Sequence, residues 1–387
     1  MTSQQLKIVV DENVPYARET FGTLGTVDLV HGRKITPDHV RDADVLIVRS
    51  ITRVNSQLLE GSRVRFVGTA TIGFDHVDVG YLGAKGIAFH TAPGSNANSV
   101  SEYITAALLL AAERLGRPLE GCTIGVVGVG NVGSLVVRKA RALSMRCLLN
   151  DPPKQRESGD PEYLPLQTLL GESDFISLHV PLERNGPDAT VGLAGTAFFR
   201  ALKPGCVFMN SSRGQVVDET ALKAAAADGI VRLAVLDVWQ NEPGIDPDMV
   251  RRAFVATPHI AGYSFDGKVA ATGMLYEALS AWLGRAPVVD WRSLMPPPPV
   301  PLVDVSLCTG PDERLLRAAV LRVYDILRDD EQLRQAVAGP DASGPRFDLL
   351  RKNYPVRREF QNTTVKIETG RKTIGGTLEG LGFRVGA

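Results

Sequence analysis

The sequence predicts an α/β protein with two doubly wound parallel-sheet domains, followed by a small α+β domain. Three observations carry that expectation. Short apolar strands alternate with helical stretches, and the alternation runs twice, over roughly residues 6–95 and about 122–260; such alternation builds βαβ units and parallel sheets. The second pass opens on a glycine-rich turn between a strand and a helix. Residues 295–301 then read "MPPPPVP", and four consecutive prolines form neither helix nor central strand, so this is a stiff extended linker.

In chain order, "KIVV", "DVLIV", "RFVGT" and "IAFH" are the strands of the first pass. "NSVSEYITAALLLAAERLGR" is a long helix bridging the two sheets, with Asn98 or Ser99 as its cap. The second pass supplies "TIGVVG", "RCLLN", "FISLHV", "CVFMN", "LAVLDV" and "FVAT". A helix over Tyr276 to Leu283 returns the chain to the first domain. Beyond the prolines come a strand (Val303 to Leu307), a helix (Asp312 to Arg328) and the strand-like "TTVKIET". The expected domains are therefore 1–97 with 268–294, then 98–267, then 302–387.

Bulk chemistry narrows the partners. Forty-three basic and 43 acidic residues cancel to zero net charge, which argues against nucleic acid, whose binding rests on neutralised phosphates. The longest apolar run, "ITAALLLAA", is too short for a membrane span. The opening "MTSQQLKIVVDEN" enters a strand almost at once, predicting no secretory leader. Cys122, Cys147, Cys206 and Cys308 have no metal or CxxC spacing. They read as reduced thiols of a cytoplasmic protein, and no metal site is expected.

"TIGVVGVGNVGSLVVRKARAL" places strand, tight turn and helix in the order a dinucleotide site needs. Its core, Gly128-Val129-Gly130-Asn131-Val132-Gly133, is GxGxxG. The first glycine permits the turn, the second lets a pyrophosphate approach, and the third lets helix and strand pack closely. The helix N-terminus then offers N–H groups to the phosphates. Asp151 ends the next strand, where a carboxylate accepts the ribose hydroxyls and repels a 2′-phosphate, favouring NAD; Lys154 nearby blurs that exclusion. A merely glycine-rich βα turn with a solvated strand-end acid is the plainer alternative.

In doubly wound sheets ligands sit beyond the carboxyl ends of the strands. Arg213 follows "CVFMN", Glu242 follows "LAVLDVW" with Asp237 inside that segment, and His259 follows "FVATP". A hydride-transferring site needs a group for the alcohol proton, and histidine suits that near neutral pH. A carboxylate beside it fixes its orientation, and an arginine fork holds a substrate carboxylate. Taken singly, each has an ordinary reading as a packing, surface or loop residue. Their joint placement after the glycine loop points to a 2-hydroxy or 2-oxo acid.

"LKPGCVFMN", "NSSRGQVVDETAL", "LDVWQNEP" and "TPHIAGYS" resemble the signature segments of the D-isomer-specific 2-hydroxyacid dehydrogenases, over roughly residues 6–290. The resemblance implies a flavodoxin-like substrate domain and a Rossmann NAD domain. It implies His259 as acid/base, Glu242 as its tuning carboxylate and Arg213 as substrate binder. It implies cofactor contacts at Gly128, Gly130, Asn131, Val132, Gly133, Asp151, Asp237 and Gly262. At one further cofactor position, after "SLH", the family pattern calls for a small polar residue, and this chain has Val180. "VDENVPYARETFG", "VRSITRVN", "VGTATIGFDHVD", "APGSNANSVSEYI" and "LRKNYPVRREF" narrow the resemblance to a subgroup acting on a phosphorylated hydroxy acid. That subgroup implies substrate contacts at Ser50, Thr71 and Tyr263, and a homodimer formed through the C-terminal domain. For the phosphate, Arg49, Arg351, Lys352, Arg357 and Arg358 are candidates, with a solvated basic surface as the alternative. Two other functions stay open at this level: a relative acting on 3-phosphoglycerate, and a non-enzymatic NAD(H)-sensing corepressor-like protein.

Overall fold

The structure, a computed structural model, describes residues 6–338, 344–368 and 371–386. The chain forms two compact units, Met1–Asn96 with Ser264–Pro297 and Ala97–Tyr263 with Pro298–Ala387.

The first unit holds a five-stranded parallel sheet of β1 (Leu6–Asp11), β2 (Gly25–Val30), β3 (Val45–Val48), β4 (Phe66–Thr69) and β5 (Ala88–His90), in the order β2-β1-β3-β4-β5. This is the flavodoxin-like order. β2, "GTVDLV", escapes a reading by hydrophobic runs because it is an edge strand with alternate residues exposed. The helix expected over 276–283 begins earlier and spans Phe265–Trp282. Ser264 caps it by accepting from Gly267 N at 2.9 Å. Its glycines weaken the sequence signal, yet Gly273 is sterically required: a Cβ there would lie 2.1 Å from the Trp291 ring. Leu275, Tyr276 and Leu279 of this helix complete the core with Val10, Phe21 and Phe66.

The second unit holds six parallel strands, β6 (Thr123–Val127), β7 (Arg146–Asn150), β8 (Phe175–Leu178), β9 (Cys206–Asn210), β10 (Val231–Leu236) and β11 (Val255–Ala256). Their order is β11-β10-β9-β8-β6-β7, so winding reverses between β6 and β8. A single parallel bridge joins Leu149 of β7 to Tyr163. With that bridge counted, the sheet has the Rossmann order.

The bridging helix runs over Ala97–Leu115 and is buried on nearly every face. Asn98 and Ser99 lie inside it rather than capping it. The Asn98 amide donates to Glu102 and Glu359, and Ser99 Oγ donates to the Ala261 carbonyl.

The C-terminal residues form a three-stranded parallel sheet of β12 (Leu302–Asp304), β13 (Thr364–Lys366) and β14 (Arg384–Gly386). Thr369, at the end of the expected "TTVKIET" strand, lies outside the described residues. The single helix expected over 312–328 is two, Asp312–Val323 and Ile326–Ala338. Tyr324 turns inward between them, and Asp325 caps the second through Arg328 N at 3.1 Å. This segment has its own sheet but shares a hydrophobic core with the rest of the unit. Leu315, Leu316, Leu378 and Leu381 pack in one cluster with Tyr103, Leu108 and Val136, each fully buried leucine stabilising by about 2 kcal/mol. Buried cations pin the same seam. Lys139 Nζ donates to the Leu381 carbonyl at 2.8 Å, and Arg357 Nη2 donates to the Ser99 carbonyl at 3.1 Å.

Candidate active site

β6 ends in the glycine loop. Gly128 has φ +85°, and a Cβ on it would lie 2.6 Å from the His179 carbonyl oxygen at the end of β8. The loop thus nests at the reversal between β6 and β8, where such sheets bind ligands. A Cβ on Gly133 would lie 2.0 Å from the Gly128 carbonyl, so helix and loop touch. Gly130 differs. A Cβ there meets nothing within 4 Å, so the protein itself does not require glycine at that point, whereas a ligand lying over the loop would. Gly130 also starts the helix Asn131–Ala142 without a side-chain cap, as phosphate recognition by N–H groups requires. These residues fit a bound dinucleotide.

Asp151, at the end of β7, accepts from Val129 N at 2.8 Å and from Lys154 N at 3.2 Å. Its carboxylate is thereby fixed beside the loop, and Lys154 is drawn onto the Val129 carbonyl at 2.6 Å. Val180 lies against Gly128, its Cγ1 2.9 Å from the position a Cβ would take there. It lines the loop as a methyl surface and offers no hydroxyl. Beside it, burial pushes the His179 imidazole down to about 3, and the ring's Nε2 pairs with Ser177 Oγ at 2.8 Å.

Arg213, Glu242 and His259 follow β9, β10 and β11, three adjacent strands, at their carboxyl ends. Asn210 folds the first of these loops. Its Oδ1 accepts from Ser212 N and Oγ at 3.0 and 2.7 Å, and its Nδ2 donates to the Arg213 carbonyl at 3.1 Å. Gly214 lets this loop touch the next one, since a Cβ there would sit 1.8 Å from the Trp239 carbonyl oxygen.

His259 Nδ1 lies 2.7 Å from Glu242 Oε2. The carboxylate draws the proton to Nδ1 and leaves Nε2 as the acceptor. Burial alone would raise the Glu242 pKa. The His259 charge and hydrogen bond, the Trp239 N–H at 2.9 Å and the Arg351 charge outweigh it, so the carboxyl sits below its ordinary value. His259 has φ +56°, which costs a non-glycine residue about 1–2 kcal/mol. Asp237 sustains that turn. Its Oδ1 accepts from Thr257 Oγ1 at 2.6 Å and Ile260 N at 2.8 Å, its Oδ2 accepts from Ala261 N at 3.0 Å, and its carbonyl accepts from His259 N at 2.7 Å. Burial nonetheless raises the Asp237 carboxyl above its ordinary pKa. The family resemblance implies a cofactor contact at Asp237; its clamp on the histidine turn has no local signature in the sequence.

Gly262 and Tyr263 continue that turn, with Tyr263 N donating to the Ile260 carbonyl at 2.8 Å. The Tyr263 ring meets Tyr354 edge-on at 5.8 Å and lies under the Arg351 guanidinium at 5.6 Å. Ser50 and Thr71 belong to the first unit. Ser50 is exposed just beyond β3. Thr71 shares a 2.7 Å hydrogen bond with Thr69 and donates to the Gly73 carbonyl at 2.8 Å, stiffening the turn after β4. Of the expected phosphate arginines, Arg357 is buried in the core, its Nη2 donating to the Ser99 and Ala261 carbonyls, and Arg358 is buried against Asn362.

Replacing Glu242 by glutamine should cut turnover by roughly 10²-fold, because an amide neither holds the tautomer nor stabilises imidazolium. The same change should also lower Tm at neutral pH. The wild-type carboxyl is depressed on folding, so its stabilisation is full above its ordinary 4.5 and fades as pH falls through the folded value. Melting curves of both proteins from pH 7 down to pH ~3 should therefore converge at the acid end. A constant gap would contradict this.

A parallel sheet with a phosphate cradle at its reversal, and a carboxylate-paired imidazole further along the same edge, is equipped for hydride exchange with an alcohol. Fold and site together define a dinucleotide-dependent dehydrogenase. Residues 96–261 match the D-isomer specific 2-hydroxyacid dehydrogenase, NAD binding domain, and residues 294–382 match a domain of unknown function (DUF3410). The chain is 46% identical to the erythronate-4-phosphate dehydrogenase of Edwardsiella ictaluri, over 98% of this chain and 99% of the relative. It is 47% identical to that of Salinibacter ruber, over 94% of each. Among solved structures, the D-lactate dehydrogenase from Aquifex aeolicus complexed with NAD and lactic acid is 25% identical with TM-score 0.59, covering 72% of this chain and 95% of its own. This chain belongs to the erythronate-4-phosphate dehydrogenase family, within the D-isomer-specific 2-hydroxyacid dehydrogenases. The family resemblance and the α/β architecture expected from the sequence are both borne out.

Proposed function

We propose that this protein oxidises the C2 hydroxyl of 4-phospho-D-erythronate to (R)-3-hydroxy-2-oxo-4-phosphobutanoate, with NAD as oxidant, in pyridoxal 5′-phosphate biosynthesis. The observation that carries this reading is the 46% identity to an erythronate-4-phosphate dehydrogenase over nearly the whole of both chains, C-terminal segment included.

In this reading the substrate carboxylate docks on the Arg213 fork, which orients C2. Neutral His259 takes the C2 hydroxyl proton on Nε2, and the resulting imidazolium is stabilised by Glu242 through Nδ1. When bound, NAD accepts the hydride that leaves C2. Asp237 keeps the histidine turn in place while charge develops. Positioning and charge placement supply the acceleration, with no covalent intermediate on the protein. Ser50, Thr71 and Tyr263 are assigned to substrate contact, and the glycine loop, Asp151, Val180 and Gly262 to the cofactor. At Val180 the contact is restricted to backbone and methyl groups. The protein is further proposed to act in the cytoplasm as a homodimer; the lack of any described helix long and apolar enough to cross a membrane is in keeping with the first point.

The test is NADH formation with 4-phosphoerythronate, 3-phosphoglycerate and D-lactate measured side by side. 4-Phosphoerythronate should give the highest kcat/KM, by about 10²-fold or more over D-lactate, which lacks the second anion. A clear win for 3-phosphoglycerate would overturn the substrate, and no turnover with any acid would favour a sensor.

A further inference from the structure

Arg351 lies in the last turn of the helix Gly344–Lys352, in the C-terminal segment. Its guanidinium nonetheless reaches the active site of its own chain. Its Cζ is 5.6 Å from the centre of the Tyr263 ring, four residues past His259, and it hydrogen-bonds to Tyr263. Its charge acts on Glu242, the partner of His259. The side chain is only 17% exposed, its Nε is buried with no hydrogen-bond partner, and its ion pair with Asp348 is stretched to 3.9 Å. An arginine largely removed from water with a donor unspent is built to receive an anion.

The proposed substrate carries two anions, a carboxylate next to the reacting carbon and a phosphate at the far end. Arg213 answers one of them. The A. aeolicus enzyme, solved with lactic acid, which has no phosphate, matches 72% of this chain although 95% of its own length is used. The relatives named for a phosphorylated acid match this chain nearly end to end. The C-terminal segment carries a family match of its own over residues 294–382, and Arg351 is the residue it delivers beside Tyr263.

We propose that Arg351 binds the phosphate of the substrate, as the specificity-determining counterpart of Arg213; this rests on the substrate reading above. Arg351 tells the phosphorylated acid from its unphosphorylated analogue, and it acts from the same subunit as His259.

The test is steady-state kinetics of the full-length protein and its Arg351→Ala and Arg351→Lys variants with 4-phosphoerythronate and with erythronate. NAD affinity is measured alongside as a check on folding. In the alanine variant the ratio of kcat/KM between the two acids should collapse by about 10²-fold, chiefly through KM of the phosphorylated one. Lysine should restore part of that ratio, since it keeps the charge but not the fork. Equal losses on both acids, with the pH profile of kcat displaced, would show that Arg351 only positions Glu242 and would overturn the proposal. So would an unchanged ratio in either variant. A wild-type protein indifferent to the phosphate would instead overturn the substrate reading, and the proposal with it.

Discussion

His259→Ala should lower turnover by about 10³-fold while leaving NAD affinity within about twofold. The two effects separate because the parts are separate. The glycine loop follows β6, whereas His259 follows β11 at the far edge of the same sheet. The imidazole side chain is 32% exposed, so its removal opens no core cavity. Asp237 continues to hold Ile260 and Ala261 through their N–H groups. Alanine does inherit a φ of +56°, which asparagine tolerates better. His259→Asn is therefore the cleaner variant for stability and should be equally inactive. Turnover is read from NADH formation and affinity from equilibrium NAD titration. Activity within a few-fold of wild type would remove His259 from the chemistry.

Gly214→Ala should act from outside the chemistry, lowering both stability and activity. A Cβ at this position would fall 1.8 Å from the Trp239 carbonyl oxygen and 2.0 Å from its carbon, and 2.6 Å from Gln240 N. All three are backbone atoms, so no side chain can swing aside, and the loops after β9 and β10 must part. Those loops carry Arg213 and Glu242. The expected destabilisation is about 3 kcal/mol, or roughly 6–12 °C in Tm. Because Arg213 moves away from the Glu242–His259 pair, kcat/KM should fall by about 10²-fold as well. Thermal melts with kinetics below the transition check both halves. Unaltered kcat/KM in a protein of lowered Tm would show that the Arg213 loop position is not critical to the reaction.

Much of this was legible in the sequence. The ten strands expected from apolar runs all exist; those inside the sheets, such as β3, β4, β8 and β9, are buried along their whole length and so are nearly continuously apolar. The strands that escaped, β2 and β14, are sheet edges with exposed residues, where the apolar pattern thins out. The helix Phe265–Trp282 looks shorter in the sequence because the glycines near its start resemble loop residues, although Gly273 serves the packing of Trp291. The break at Tyr324 was hidden because Asp312 to Arg328 keeps good helix formers throughout; what ends the first helix is the inward turn of a tyrosine.

Local chemistry alone marks the glycine loop with its acid, and places an arginine, a glutamate and a histidine just past three buried strands. Those assignments depend on spacing and on strand ends, and neighbouring residues encode both. Tertiary structure alone decided that Glu242 meets His259 at 2.7 Å, that Asp237 clamps the turn between them, and that Arg351 comes to rest on Tyr263. It also decided that the C-terminal helices share a core with the helix Ala97–Leu115. Contacts between residues far apart in the chain depend on how whole faces pack, and no short stretch of residues records which distant face it will meet.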